Sequence, residues 1–98
     1  MAFRHTEQTD RLIRAILAVE TPEEGYRFLE DVCTIKEIYA IAQRLEVARD
    51  LDQGASYQKT IEKTGASSAT IGRVKRCLDY GTGGYRLILD RLDGEEKG

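Results

Sequence analysis

The chain has 98 residues, 41% hydrophobic and 33% charged, with a net charge of −2, one proline and two cysteines. That size holds one domain at most, read as a single helical domain over residues 1–98, with a core modest enough to gain from association. No window reaches the run of about 20 apolar residues that spans a bilayer, and the N-terminus lacks a signal-peptide core, so the expected location is the cytoplasm.

One proline and the lack of β-branched or aromatic runs favour helices over sheet. The first predicted helix spans Glu7 to Val19, with Leu12, Ile13, Ile16 and Leu17 on one side. Thr21 can cap the second, with Pro22 at its first position and Glu24 completing a capping box. That helix presents Tyr26, Leu29 and Val32, with Phe28 close by. Thr34 and Glu37 form another capping box, opening the longest helix, Ile35 to Gln53. Its expected apolar seam is Ile35, Ile38, Ala42, Leu45 and Ala48, with Tyr39, Ile41 and Leu51 nearby. Gly54 ends it as a left-handed cap.

Ser56 caps a short helix, Tyr57 to Thr64, and Gly65 supplies the positive φ of a tight turn. Ser67 caps the next helix, Ser68 to Tyr80. Gly81-Thr82-Gly83-Gly84 is a break before a last short helix, Tyr85 to Leu92, carrying Leu87, Ile88 and Leu92. From Asp93 the chain reads as a frayed, charged tail that includes Glu95 and Glu96.

Residues 56–80 therefore have the grammar of a helix-turn-helix, which points to double-stranded DNA. Residues 58–78 carry Lys59, Lys63, Arg73, Lys75 and Arg76 against Glu62 alone, a local charge of +4 that leaves −6 for the rest. Local charge governs phosphate attraction, because salt screens charges beyond about 8–10 Å. On a helical wheel Ile71, Val74 and Leu78 face a core, while Ala69, Arg73, Arg76 and Tyr80 face away and Thr70 and Gly72 flank them.

Small residues at a helix start admit base edges, and Thr70 can hydrogen-bond there or touch a thymine methyl. Arg73 has the reach for guanine or phosphate. Lys59 and Lys63 fall on the preceding helix, where phosphate contacts set orientation. Gly72 has two readings: clearance for DNA, or a tolerated cost of about 0.5–1 kcal/mol. Ile61 departs from the usual pattern, because the position four before the turn glycine commonly takes a small residue. A one-residue shift of register or a wider crossing would accommodate it.

An enzyme is not expected. There is no Cys–His pair, no serine triad and no metal cluster, and the 81–84 loop lacks the lysine of a phosphate loop. No cofactor is expected. Cys33 and Cys77 lack metal-ligand spacing and read as reduced, buried thiols. His5 has no assignable role.

Three segments carry a family resemblance: Ala42-Gln43-Arg44-Leu45-Glu46-Val47-Ala48, then Thr64 through Val74, then Arg76-Cys77-Leu78-Asp79-Tyr80-Gly81. Over about residues 10–92 the chain resembles the tryptophan-repressor family, and within it the YerC/YecD branch of small Trp-repressor-related proteins. The resemblance implies an all-α fold of about six helices and an intertwined homodimer. It further implies a transcriptional regulator, of the repressor type, whose two reading helices enter major grooves about 34 Å apart.

By the same resemblance Ser68, Ala69, Thr70, Gly72 and Arg73 contact DNA, joining Lys59, Lys63, Ser67 and Arg76. Thr34, Arg44 and Arg73 match the threonine and two arginines that shape the tryptophan pocket of the repressors proper. Val74 replaces the glycine and Cys77 the serine of that pocket. The valine fills the slot of the flat indole, and a thiol is a poor donor, so L-tryptophan binding is not expected. The alternative to a DNA reader is a helical protein-interaction module that has kept the fold and lost DNA.

Overall fold

The computed structural model describes residues 3–97. Six helices follow in order: α1 (Glu7–Ala18), α2 (Pro22–Val32), α3 (Ile35–Asp52), α4 (Tyr57–Thr64), α5 (Ser68–Tyr80) and α6 (Gly84–Lys97). There is no strand among the described residues, and no helix there is long and apolar enough to cross a membrane. The helix ends fall within about a residue of the sequence expectation except the last. Instead of fraying after Leu92, α6 runs on to Lys97. No proline follows Leu92, and the lone Gly94 costs too little, about 1 kcal/mol, to break a formed helix. Gly98 and the side chains of Glu96 and Lys97 lie outside the described residues.

The caps explain these boundaries. Thr6 and Thr9 form a reciprocal pair at the start of α1, at 3.1 and 2.8 Å, which the residue pattern did not predict. At α2 the Thr21 hydroxyl accepts from Glu24 N–H at 3.2 Å. The Glu24 carboxylate, however, accepts from Glu20 N–H at 2.9 Å, one residue earlier than a capping box requires. At α3 the expected box forms: Glu37 Oε1 accepts from Thr34 N–H at 2.7 Å and Thr34 Oγ1 from Glu37 N–H at 3.1 Å. The bond from Thr34 N–H first, and then the Thr34 side chain, hold the Glu37 carboxyl below its ordinary 4.5. At the other end Gly54 has φ 89°, and Ala55 N–H reaches back to Asp50 O at 3.0 Å, closing a Schellman turn.

The chain divides into two compact units, residues 1–39 and 40–98, with the boundary inside α3. In the first unit neither α1 nor α2 buries a single residue. Leu12, Ile13, Ile16, Leu17, Tyr26, Leu29 and Val32 are all exposed, Leu17 by 76% and Tyr26 by 70%. Phe28 is half-buried.

The second unit holds the core: Val47, Ala48, Ala66, Ile71, Val74, Leu78 and Leu89, with Leu45, Leu51, Ile61 and Tyr85 packed against it. The α3 seam is buried only toward its C-terminus, where Val47 joins Ala48, while Ile35 and Tyr39 are each 72% exposed. In α6 the inward residue is Leu89, one turn after Tyr85, whereas Leu87, Ile88 and Leu92 are exposed. Both helices are placed by the neighbours they meet, and those neighbours select a different stripe from the one with most apolar residues.

Candidate nucleic-acid interface

The site is built on α3. Gln43, Val47 and Asp50 are spaced four and three apart and so share one helix face. Val47 is fully buried on it. Gln43 Nε2 donates to Thr64 O at 3.2 Å, and Asp50 Oδ1 meets Lys63 Nζ at 3.3 Å. Both grips fall on the last turn of α4. At the end of α3, Asp52 pairs with Arg86 of α6, and Arg86 Nε donates to Leu78 O, in the last turn of α5, at 3.4 Å. Sequence reasoning missed these polar residues. Their signal was present: Gln43 and Asp50 fall in phase with Val47, so a polar face there had to find partners.

Ser56 caps α4 by accepting from Lys59 N–H at 3.2 Å. Thr60, not Ile61, is its fully buried residue, and its hydroxyl donates to Ser56 O at 2.9 Å. Ile61 is half-buried against the core. The burial phase is therefore one residue earlier than the common pattern, which is how Ile61 is accommodated. Gly65 has φ 72° and its N–H donates to Ile61 O at 2.9 Å. The Thr64 hydroxyl donates to Thr60 O at 2.7 Å and accepts from Ala66 N–H at 3.2 Å, so the turn leaves no donor stranded there. Ala66 then points into the core, 2% exposed.

The next helix, α5, starts on Ser67, whose Oγ accepts from Thr70 N–H at 3.2 Å. Ser67 Oγ also lies 3.1 Å from Thr70 Oγ1, so Thr70 is half-buried with its hydroxyl already engaged by the cap. Ile71, Val74 and Leu78 are buried in line, as the wheel predicts. Each contributes about 1.5–3 kcal/mol of apolar burial. The opposite face is open: Ala69, Arg73, Arg76 and Tyr80 are exposed, as are Ser67 and Ser68 at the helix start, and Gly72 on the flank is half-buried.

Charge on this face is smaller than the sequence count. Lys63 is paired with Asp50, and Lys75 with Asp79 at 3.4 Å. Among the described residues no hydrogen bond or ion pair holds the side chains of Lys59, Arg73 or Arg76. Those three cations are what the two motif helices can offer an anionic polymer.

The residues expected around an effector are placed as follows. Thr34 caps α3, and Arg44 is half-buried on the same helix. Arg73 is exposed, and Val74 is a core residue at 1% exposure. Cys77 is exposed and Cys33 half-buried, both free thiols. The expectation that both cysteines are buried is thus corrected: Cys77 falls off the buried line of α5, which passes through Leu78. Among the described residues no group of three or more His, Cys, Asp or Glu could hold a metal. His5 stacks at a tilt on Phe3, ring centroids 5.0 Å apart.

Comparison with known proteins agrees with this architecture. The chain is 52% identical to the uncharacterised YerC protein of Bacillus subtilis strain 168 over 90 residues, 92% of this chain and 86% of that one. Its structure superimposes on a proposed Trp repressor from Staphylococcus aureus with TM-score 0.88 and 45% identity, covering 91% and 89% of the two chains. It also superimposes on a TrpR-like protein from Eubacterium eligens with TM-score 0.87 and 48% identity, covering 90% and 91%. The sequence pattern of the Trp repressor protein family matches residues 7–93. With that match spanning nearly all six helices, the chain belongs to the Trp repressor family, on its YerC branch.

Proposed function

We propose that the protein is a sequence-specific, double-stranded DNA-binding transcriptional regulator of the repressor type, acting in the cytoplasm as a homodimer. The observation that carries this is the outward face of α5: small residues at its capped start, then Arg73 and Arg76 with no partner among the described residues. In this reading α5 enters the major groove. Ser67, Ser68, Ala69, Thr70 and Gly72 approach base edges, Arg73 contacts guanine or phosphate, and Lys59 and Arg76 contact the backbone. The exposed apolar faces of α1 and α2 close against a second copy, so that residues 1–98 become one complete domain.

Salt-dependent duplex binding tests it. Arg73→Ala and Lys59→Ala should each weaken binding to a duplex selected from a random pool, Arg73→Ala by about 1–3 kcal/mol. If no duplex binds even at low salt, the fold serves instead as a protein-interaction module.

We also propose that the regulator works without L-tryptophan. Val74 fills space within the core rather than leaving a slot, and Cys77 is a weak donor. Titration calorimetry should register no heat of tryptophan binding at micromolar ligand. A micromolar dissociation constant would overturn this.

A further inference from the structure

Lys63 stands on the last turn of α4, and by charge alone it belongs with Lys59 as a phosphate contact. Its surroundings favour another role. Its ammonium lies 3.3 Å from Asp50 Oδ1, and the Asp50 side chain is only 5% exposed. Asp50 Oδ2 is buried, without a hydrogen-bond partner among the described residues. The carboxylate therefore depends on Lys63, and removing that ammonium leaves a buried charge uncompensated. The Lys63 side chain is 66% exposed and its ammonium has further N–H donors, so a phosphate would have to share it with a carboxylate already in contact with it. One turn earlier, Lys59 is exposed and under no such constraint.

A second contact falls on the same turn. Gln43, seven residues before Asp50 on the same face of α3, donates to Thr64 O at 3.2 Å. One grip takes the main chain of Thr64 and the other the side chain of Lys63, immediately before Gly65. The Thr64 hydroxyl then receives Ala66 N–H, and Ser67 caps α5. Whatever fixes the end of α4 also aims the helix that follows.

We infer that Lys63 is a positioning residue and not a phosphate contact: Asp50 holds the Lys63 ammonium in place, and this pair, with Gln43, fixes the seat of α4 from which α5 is aimed. The inference rests on the DNA-binding reading for its binding arm, and it has a second arm that needs no DNA.

The binding arm compares the full-length wild type with Lys59→Gln, Lys63→Gln, Lys63→Arg, Asp50→Asn and the Asp50→Asn/Lys63→Gln double variant. Duplex affinity is measured across salt. Each neutralised phosphate adds about 0.9 to the slope of log affinity against log salt. Lys59→Gln should flatten the slope by about that amount for each phosphate that Lys59 neutralises. Lys63→Gln should weaken binding about tenfold at every salt with the slope intact, and Lys63→Arg should keep wild-type behaviour. The double variant places two neutral amides where the ions stood, and should recover affinity to within about threefold of wild type. The inference is overturned if Lys63→Gln flattens the slope as Lys59→Gln does, or if the double variant binds no better than Lys63→Gln.

The second arm is amide hydrogen exchange without DNA. Lys63→Gln and Asp50→Asn should each speed exchange across residues 61–67 by about tenfold, and the double variant should reverse it. Unchanged exchange in both single variants overturns the positioning role. No duplex binding by the wild type, with the exchange coupling intact, overturns the DNA reading and supports the seat.

Discussion

A β-carbon built on Gly72 would meet no atom within 4 Å, and the backbone there is ordinary α-helix. Nothing in the fold requires glycine at that position, and glycine in a helix interior costs about 0.5–1 kcal/mol relative to alanine. The open space excludes a packing reason for glycine and leaves the two readings from sequence, clearance for DNA and a tolerated cost, to be separated by experiment. On the clearance reading, Gly72→Ala should raise stability by about that amount in denaturant melts while lowering duplex affinity. An alanine variant that is more stable and binds equally well would return Gly72 to a tolerated cost. Gly81 is the opposite case. Its β-carbon would collide with Cys77 O, the carbonyl that its own N–H bonds at 2.9 Å. Gly81→Ala should destabilise by more than about 1 kcal/mol in the same melts, because the end of α5 must shift. Sequence alone put Gly72 inside the reading helix and Gly81 in the break that follows it, but not whether atoms occupy the place of the missing carbon.

At the scale of elements, caps and glycine turns were the most legible features. Ser56, Ser67, Gly54 and Gly65 do locally what their types allow, because each acts within a few residues of itself. The Thr34–Glu37 box adds a pH dependence. Its bonds favour the ionised carboxylate, so the folded value lies below the ordinary 4.5. The stabilisation is therefore complete above the ordinary value and is lost as pH falls through the lower, folded one. Exchange at the first turn of α3 should rise on acidification in that acidic window, and Glu37→Gln should abolish the dependence. Glu37 is fully exposed, so global stability should change little.

The inward phase of the helices was less legible than their ends. In α3 the chain buries Val47, Ala48 and Asp50 and leaves Ile35 and Tyr39, on the apolar side, exposed. In α6 it buries Leu89 and leaves Leu87 and Ile88 exposed. Periodicity indicates that a helix has a face. Which face turns inward depends on partners that are distant in sequence, such as Thr64 for Gln43 or Asp52 for Arg86.

On the scale of the molecule, the two units differ in how much they bury. Residues 40–98 enclose a core, whereas α1 and α2 bury nothing and carry exposed leucines, isoleucines and aromatics. Scattered apolar residues on a surface are ordinary, but a whole amphipathic face is not. Sedimentation at micromolar concentration should therefore report a dimer. Leu17→Lys, at a residue 76% exposed in the protomer, should raise the dimer dissociation constant at least about tenfold, since a charge would then be desolvated at the interface. A wild-type monomer, or a Leu17→Lys variant with unchanged assembly, would contradict the dimer.

By itself the sequence determined the helix count, nearly every helix end, the helix-turn-helix and the buried line of α5, because caps, glycines and a 3.6-residue period act over short distances. It also placed the basic residues between 58 and 78, but as a sum of charges. Only the tertiary structure decided which of them remain available, pairing Lys63 with Asp50 and Lys75 with Asp79 and leaving Lys59, Arg73 and Arg76 unpaired among the described residues. The physical reason is that a side-chain charge is spent or kept according to what stands within about 4 Å of it. For Lys63 that neighbour comes from a different helix, thirteen residues away along the chain.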